Sequence, residues 1–134
     1  MAGYSGTPLA TKLGIKAGFS VLVVNEPANY RQLLAPLPAD VTFVKKLTNS
    51  VDLIHLFTKS AAELDAKLRG WRHAIKPDAT IWISWPKKAS KVATDVTEDV
   101  IREVALPMGF VDIKVCAVDE TWSGLKVVIR KSLR

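Results

Sequence analysis

The sequence contains little cysteine, no long apolar segment and no glycine through much of its first half. Its single cysteine, Cys116, excludes an internal disulfide and a zinc site built on cysteines. Apolar runs such as Val21–Val24 are far too short to cross a bilayer. The segment Met1–Lys16 has no continuous apolar stretch of the kind that secretory signals carry. We therefore expect a cytoplasmic protein that has no membrane anchor.

What is present is the composition of a folded protein with a surplus of positive charge. The 134 residues fit one domain, 1–134, and suffice for one hydrophobic core. Hydrophobic residues make up 49% of the chain and charged residues 24%, which is a globular rather than a disordered balance. The net charge of +6 favours an anionic partner, such as a nucleic acid, a nucleotide, phosphate or an acidic protein surface.

Short apolar segments predict the strands. Phe19–Val24 and Val51–Phe57 are nearly continuous apolar runs, which is typical of strands that are covered on both faces. The other predicted strands are Val41–Val44, Thr80–Trp85, Phe110–Val118 and Leu125–Ile129.

Helices are predicted between these strands. Ser60 and Glu63 have the spacing of a capping box, in which each side chain bonds the other residue's backbone N–H at a helix start. Asp95 or Thr97 can cap a later helix, which ends before Gly109. The remaining predicted helices are a Thr7-capped one over Leu9–Leu13 and a short one over Asn29–Ala35.

The alternation of strands and helices predicts a three-layer, Rossmann-like α/β fold. Strands joined through helices form a parallel sheet with right-handed crossovers. The last two strands are too close in sequence for a helix to lie between them. The final strand, Leu125–Ile129, is therefore predicted to run antiparallel in an otherwise mainly parallel sheet.

Two resemblances follow from particular segments. The stretch Val51-Asp-Leu-Ile-His-Leu-Phe57, the helix from Ser60, Lys76–Ser84 and the ending Val127-Val-Ile-Arg-Lys131 resemble a class I methyltransferase domain. More closely, the chain resembles a small bacterial family of unknown function. The segments that carry this second likeness are Ser5-Gly-Thr-Pro-Leu-Ala10, Lys12-Leu-Gly-Ile-Lys16, Ser84-Trp-Pro-Lys-Lys88 and Asp119-Glu-Thr-Trp-Ser-Gly-Leu-Lys126.

The methyltransferase resemblance implies a cofactor loop that this sequence lacks. Class I methyltransferases hold S-adenosylmethionine on a glycine-rich turn after the first strand, where the backbone must approach the ligand closely. Here that strand leads into Asn25-Glu-Pro27, and no glycine lies between Gly18 and Gly70. The acidic residue expected after the second strand is replaced by Lys45-Lys46. We expect no S-adenosylmethionine and no other cofactor.

The ligand site is predicted at the carboxyl ends of the strands, where open α/β sheets bind their ligands. Polar residues such as Asn25, Thr58 and Lys59 follow strands there. The final strand would start from the same edge and bring Lys126 close to it. The predicted ligand-binding residues are Trp85, Lys87, Lys88, Asp119, Glu120, Trp122 and Lys126.

Each part of this site has a plainer interpretation. The segment Ser84–Lys91 offers an indole face and three lysines for an anion, or it is a solvated basic loop. The paired carboxylates of Asp119 and Glu120 could serve acid–base chemistry. They could equally belong to a hairpin loop in which Gly124 supplies an unusual backbone angle and Trp122 covers the sheet edge.

Three chemically notable residues fall inside predicted strands. His55 shares a strand face with Leu53 and Phe57, which favours a core histidine bonded to a neighbour. Cys116 is expected to be a small apolar residue of the core. Trp82 is expected to be a large core residue, because both faces of the sheet should be covered.

These observations favour an accessory, methyltransferase-like domain that binds an anionic small molecule, a nucleotide or an acidic partner at the carboxyl-end rim. One alternative is a degenerate S-adenosylmethionine-dependent methyltransferase. Another is a nucleic-acid-binding module, which would need a continuous basic face and a steep dependence of binding on salt.

Overall fold

The computed structural model describes residues 7–134, which form a six-stranded sheet with helices on both faces. Ser5 and Gly6, which begin one of the family-like segments, lie outside the described residues. The strands are β1 (Ser20–Val24), β2 (Thr42–Val44), β3 (Leu53–Phe57), β4 (Thr80–Pro86), β5 (Phe110–Ala117) and β6 (Trp122–Ile129).

The helices sandwich the sheet between two apolar layers. One layer contains side chains of the third and fourth helices, such as Leu64 and Ile101, and the other contains residues of the first two, such as Leu13 and Leu34. We call these the α3/α4 face and the α1/α2 face. The helices are α1 (Leu9–Leu13), α2 (Tyr30–Leu34), α3 (Ala61–Trp71) and α4 (Glu98–Ala105).

The strand order is β2-β1-β3-β4-β6-β5. Strands β1 to β4 pair in parallel, whereas β6 runs antiparallel to both β4 and β5. This confirms the predicted mainly parallel sheet with an antiparallel last strand. After β1 the chain moves outward to β2 and then returns to the other side of β1 to form β3. The gap between β1 and β3 is therefore the topological switch point.

Strand β6 begins earlier than the sequence predicts. Trp122, Ser123 and Gly124 pair with Pro86, Trp85 and Ser84 and extend the strand toward the carboxyl ends of the parallel strands. Gly124 consequently lies inside the sheet, where an added Cβ would sit 3.1 Å from the Ser84 hydroxyl. The interpretation that Gly124 supplies an unusual backbone angle is wrong, because its φ is not positive. We infer instead that this glycine serves the close packing of β6 on β4.

The helix starts confirm some of the predicted caps and correct others. Thr97 caps α4, since its hydroxyl accepts a bond from the Val100 N–H at 3.1 Å. Asp95 instead accepts from the N–H of Ala61, the first residue of α3, at 2.6 Å. The N-cap position of α1 is occupied by Pro8, and no side chain bonds the backbone there. The predicted Thr7 cap is therefore wrong.

Three polar side chains, those of Tyr30, His55 and Ser84, are hydrogen-bonded in a row within the core. His55 is fully buried and lies 2.8 Å from the Tyr30 hydroxyl and 2.7 Å from the Ser84 hydroxyl, as expected of a core histidine with bonded neighbours. Trp82 is also fully buried, and its indole N–H donates to the Leu13 carbonyl at 2.8 Å. Cys116 is only partly buried. Among residues 7–134, no helix has the length and apolar character that a bilayer crossing needs.

Candidate functional site

The two loops that the sequence singles out lie side by side at the carboxyl ends of the parallel strands. The backbone N–H of Lys87 donates to the Thr121 carbonyl at 2.7 Å and ties the loop after β4 to the loop before β6. Trp85 and Trp122 therefore lie at the same end of the sheet, on adjacent strands.

Their side chains nevertheless face opposite sides of the sheet. Alternate residues of a strand point to opposite faces. Trp85 belongs to the α3/α4 face, whereas Trp122 lies opposite Pro86 and packs with the α1/α2 face. The predicted ligand-binding residues therefore do not share a single site at the rim, since Trp85 and Trp122 line different concavities.

Lys126 is not at the carboxyl-end rim. It lies in the middle of β6 opposite Trp82, and its side chain lines a cavity at the amino end of the parallel strands. The prediction failed because β6 starts at Trp122 rather than Leu125, which moves Lys126 further from the rim.

The carboxylates of the β5–β6 loop do not form an acid–base pair. One oxygen of Asp119 accepts from the backbone N–H groups of Thr121 and Trp122, both at 2.8 Å, and so stabilises the turn. Glu120 is exposed. Within residues 7–134, no ion pair joins Asp119 or Glu120 to a lysine, and no cluster of His, Cys, Asp or Glu is arranged to hold a metal ion.

A first concavity, the switch-point cleft, opens between the carboxyl ends of β1 and β3 with a volume of about 530 Å³. Trp122 forms one wall and packs edge-on against Phe57, with ring centroids 5.1 Å apart. Lys59 supplies the cleft's only lysine or arginine among the residues that line it. Those residues are Asn25, Pro27, Phe57, Thr58, Lys59, Ser60, Glu63 and Trp122.

A side-chain bridge crosses the switch-point cleft. The Asn25 amide donates to the Phe57 carbonyl at 2.9 Å and to the Glu63 carboxylate at 3.1 Å. The Thr58 hydroxyl donates to the same carboxylate at 2.6 Å. Ser60 accepts from the Glu63 N–H as the capping box predicts, but the Glu63 carboxylate bonds Asn25 and Thr58 instead of returning to Ser60. The polar groups of this cleft are thus largely bonded to one another.

Asn25 holds a backbone conformation that favours glycine. Its φ is 61°, in the left-handed region that asparagine tolerates better than most residues. The missing glycines after β1 were interpreted only as the loss of a close backbone approach to a cofactor, so the bridge from Asn25 was not predicted. An asparagine directly after a buried strand was the available signal.

A second concavity, the basic groove, lies on the α3/α4 face between the β4–α4 connection and the start of α4. Its volume is about 580 Å³. Lys88 and Lys91 line it, and Glu98 on the opposite wall is paired with Arg102. The lining residues are Trp85, Pro86, Lys88, Lys91, Val92, Ala93, Thr94, Val96, Thr97 and Glu98.

Trp85 was predicted to offer its indole face to a ligand, but in this groove it is a buried wall residue. It is only 8% exposed and belongs to the core, so its indole face is not free to stack on a ligand. Lys87 is half-buried and does not line the groove, although it lies directly before Lys88. The apolar wall from Val92 to Val96 went unnoticed in the sequence because it carries no motif.

Comparison with known proteins identifies the fold. No protein-family model matches the sequence, and no curated protein matches it. Among solved structures, a SAM-dependent methyltransferase from Aquifex aeolicus is similar with a TM-score of 0.63 and 17% identity, over 90% of this chain and 87% of that one. Fibrillarin from Aeropyrum pernix, determined with natively bound S-adenosyl-L-methionine, has a TM-score of 0.56 and 11% identity over 94% and 70% of the two chains.

A third similar structure is the tRNA methyltransferase TrmK of B. subtilis. Its TM-score is 0.55 at 10% identity, over 95% of this chain and 67% of that one. At such low identities the likeness concerns the fold alone. Together with the strand order, it shows that the chain has a class I methyltransferase-like Rossmann fold.

Proposed function

We propose that this methyltransferase-like domain binds a small organic anion in the basic groove and has an accessory rather than a catalytic role. One observation carries the proposal: Lys88 and Lys91 line a single groove that also has an apolar wall. Two ammonium groups can hold a carboxylate or a phosphate, and the apolar wall can cover the body of the same molecule. A nucleotide belongs to this class.

The lysines of the loop after β4 are not held by ion pairs within the part of the chain that the structure describes. Among residues 7–134, no carboxylate lies within 4.0 Å of the amines of Lys87, Lys88 or Lys91. This speaks against the plainer interpretation that they pair with Asp119 or Glu120. The switch-point cleft is the weaker candidate for an anion, because its Glu63 carboxylate offsets the one charge of Lys59.

The residues present do not fit S-adenosylmethionine, which the fold suggests as a cofactor. The Asn25 amide crosses the crevice between β1 and β3, where the resemblance calls for bare glycine backbone. At the end of β2 the exposed Lys45 and Lys46 stand where an acidic residue would bond the ribose hydroxyls. We therefore derive no methyl transfer, and the degenerate methyltransferase is the less favoured alternative.

A nucleic-acid-binding role is also less favoured. Such a role calls for basic residues along one continuous face. The groove lysines Lys88 and Lys91 lie at the carboxyl ends of the strands, whereas Lys16 and Lys126 line the cavity at the opposite, amino end. The cytoplasmic location, the relation to the small bacterial family and the single domain stay predictions of the sequence.

A thermal-shift screen tests the proposal. Nucleotides, sugar phosphates and coenzymes are added singly, and a specific ligand raises the unfolding temperature by mass action. The best compound is then titrated by calorimetry into the wild type and into Lys88→Gln/Lys91→Gln. We expect the double variant to lose about tenfold or more in affinity, since both charge-assisted bonds are removed. Its stability should change little, because neither lysine has a carboxylate partner among residues 7–134.

The matched control is Lys45→Gln/Lys46→Gln, which makes the same change of charge at exposed positions beyond β2. It should bind like the wild type. Full binding by the groove variant, equal weakening in the control, or a screen in which no anion stabilises the protein would each contradict the proposal.

A further inference from the structure

Two lysines of like charge face each other across the last two strands. Lys114 on β5 and Lys126 on β6 are register partners, and like charges directly opposite in an antiparallel pair destabilise a sheet. Lys126 is half-buried and shares the α1/α2 face with its β4 partner Trp82. Partial burial of the Lys126 amine lowers its pKa, and the positive charges of Lys114 and Lys16 lower it further. The charges of Lys16 and Lys114 thus disfavour the charged form of Lys126, and none of these three lysines has an ion-pair partner among the described residues.

Lys126 and Lys16 also line one concavity, the amino-end cavity, with a volume of about 390 Å³. The cavity has carboxylates on its wall, but they serve other groups. Asp52 accepts hydrogen bonds from the Ser20 N–H and from the Lys76 amine. The bond to Asp52 raises the pKa of Lys76, and the charge of Asp78 adds a smaller effect in the same direction. Within residues 7–134, no carboxylate lies within 4.0 Å of the amines of Lys16, Lys114 or Lys126.

This arrangement costs stability unless something occupies the cavity. Partly removing the Lys126 ammonium from water without giving it a partner is unfavourable. The exposed Lys16 and Lys114 add repulsion, which the solvent screens in part. An anion among the three amines would offset both costs, because it attracts each ammonium group and gives Lys126 a hydrogen-bonding partner. The Thr80 side chain lines the same space and carries a hydroxyl donor.

We propose that Lys16, Lys114 and Lys126 form a second anion site at the amino end of the sheet, which takes the phosphate group of a small molecule. A phosphate offers three acceptor oxygens, one for each ammonium, whereas a carboxylate offers two. The carboxylates of Asp52 and Asp78 on the wall disfavour an extended polyanion such as nucleic acid but leave room for one phosphate between the lysines. This site lies at the other end of the sheet from the basic groove, so the proposal stands independently of the function proposed above.

Inorganic pyrophosphate is the probe for this site. It is titrated by calorimetry into the wild type, Lys126→Met and Lys126→Arg. We expect Lys126→Met to weaken binding by about tenfold or more, since it removes one charge-assisted contact and keeps the apolar stem. Without the probe, its unfolding midpoint should equal or exceed that of the wild type, because repulsion is relieved. Lys126→Arg retains the charge and should bind within about threefold of the wild type.

Lys45→Met is the control for a general loss of charge, and it should bind like the wild type. Amide chemical shifts recorded during the titration should move at Gly14, Lys16 and Lys126. Unchanged pyrophosphate affinity in Lys126→Met, or no binding at about 10 mM probe, overturns the proposal. Loss of binding in Lys88→Gln/Lys91→Gln alone would place the phosphate in the basic groove, which overturns this site and supports the other.

Discussion

The buried His55 makes the stability of the fold depend on pH. A neutral imidazole has one donor and one acceptor nitrogen, so one of the hydroxyls of Tyr30 and Ser84 can donate to it while the other accepts. A protonated ring would carry an unpaired charge in an apolar layer. Burial therefore lowers the pKa of His55 to about 3, and the ring stacks on Phe57 with centroids 4.2 Å apart.

Stability should consequently fall as the pH is lowered from 7 to 5. In this window the unfolded chain, with an ordinary histidine pKa of 6.5, binds a proton that the folded protein does not bind until about pH 3. The unfolded state is thus favoured by about 2 kcal/mol at pH 5 relative to pH 7. Urea unfolding followed by tryptophan fluorescence at the two pH values measures the difference.

The control for this prediction is His73→Gln, which removes the exposed histidine and should keep most of the pH dependence. The carboxylates with lowered pKa, Asp52 and Asp112, add their own loss of stability only near and below their ordinary range around pH 4. A wild-type protein equally stable at pH 7 and pH 5 would contradict the account of His55.

Gly124 gives a second prediction at this scale. An alanine there would bring its Cβ to 3.1 Å from the Ser84 hydroxyl and 3.2 Å from the Trp82 ring, both of which are buried. We expect Gly124→Ala to lower the free energy of unfolding by about 1–3 kcal/mol through overpacking. The control is Gly70→Ala in α3, where nothing lies within 4 Å and the change should stabilise by up to about 1 kcal/mol. Equal effects of the two variants in urea unfolding would refute the close-packing role.

At the scale of elements, the Asn25 bridge joins three parts of the fold. The amide leaves the end of β1 and bonds the last carbonyl of β3 and the first turn of α3. It therefore fixes the position of α3 over the switch point. Strand β3 and the start of α3 are held at this point by side-chain bonds as well as by the apolar layer.

Two substitutions at Asn25 separate the bridge from the backbone angle. Asn25→Gly removes the amide but suits a φ of 61°, so it should cost about 1–2 kcal/mol of unfolding free energy for the lost bonds. Asn25→Ala loses the bonds and adds strain, and it should cost about 1 kcal/mol more than the glycine variant. Urea unfolding of both proteins measures the difference. An alanine variant as stable as the glycine variant would show that the backbone angle is not strained.

The elements also show what sequence can and cannot predict. Strand β3 was recognisable because its side chains are buried on both faces and all but His55 are apolar. The start of β6 was not, because Trp122-Ser-Gly124 has the composition of a loop and becomes a strand only through pairing with Ser84–Pro86. That tertiary effect displaced Lys126 from the predicted site. It likewise set Trp85 and Trp122 on opposite faces, a consequence of register that no local pattern encodes.

For the whole molecule, the surplus charge of +6 is divided rather than concentrated. The basic groove and the amino-end cavity lie at opposite ends of the sheet. Each contains two lysines that have no carboxylate partner within residues 7–134, namely Lys88 and Lys91 in the groove and Lys16 and Lys126 in the cavity. The crevice at the switch point, in contrast, is crossed by neutral and acidic side chains. The two lysine pairs of the groove and the cavity therefore lie away from the crevice where the fold would place a nucleotide-like cofactor.

This distribution leads to the prediction that S-adenosylmethionine and its demethylated product do not bind at micromolar concentration. Binding in the crevice would require breaking the bonds from Asn25 to the Phe57 carbonyl and to the Glu63 carboxylate. The single bond to the charged carboxylate alone contributes about 1.5–3 kcal/mol. The ribose would then meet the lysines after β2 instead of an acceptor. Calorimetric titration of the wild type checks the prediction, and Asn25→Gly serves as the variant in which the crevice is opened.

The comparison of the two titrations separates the causes. If the bridge alone excludes the cofactor, Asn25→Gly should acquire measurable affinity. If Lys45 and Lys46 also matter, binding should appear only when Lys45 is replaced by Asp as well, because a carboxylate is the acceptor that a ribose diol needs. We expect the second result, since two independent positions depart from the pattern. A dissociation constant of about 10 μM or tighter for the wild type, about −7 kcal/mol, would mean that the bridge opens readily and that the crevice is a cofactor site after all.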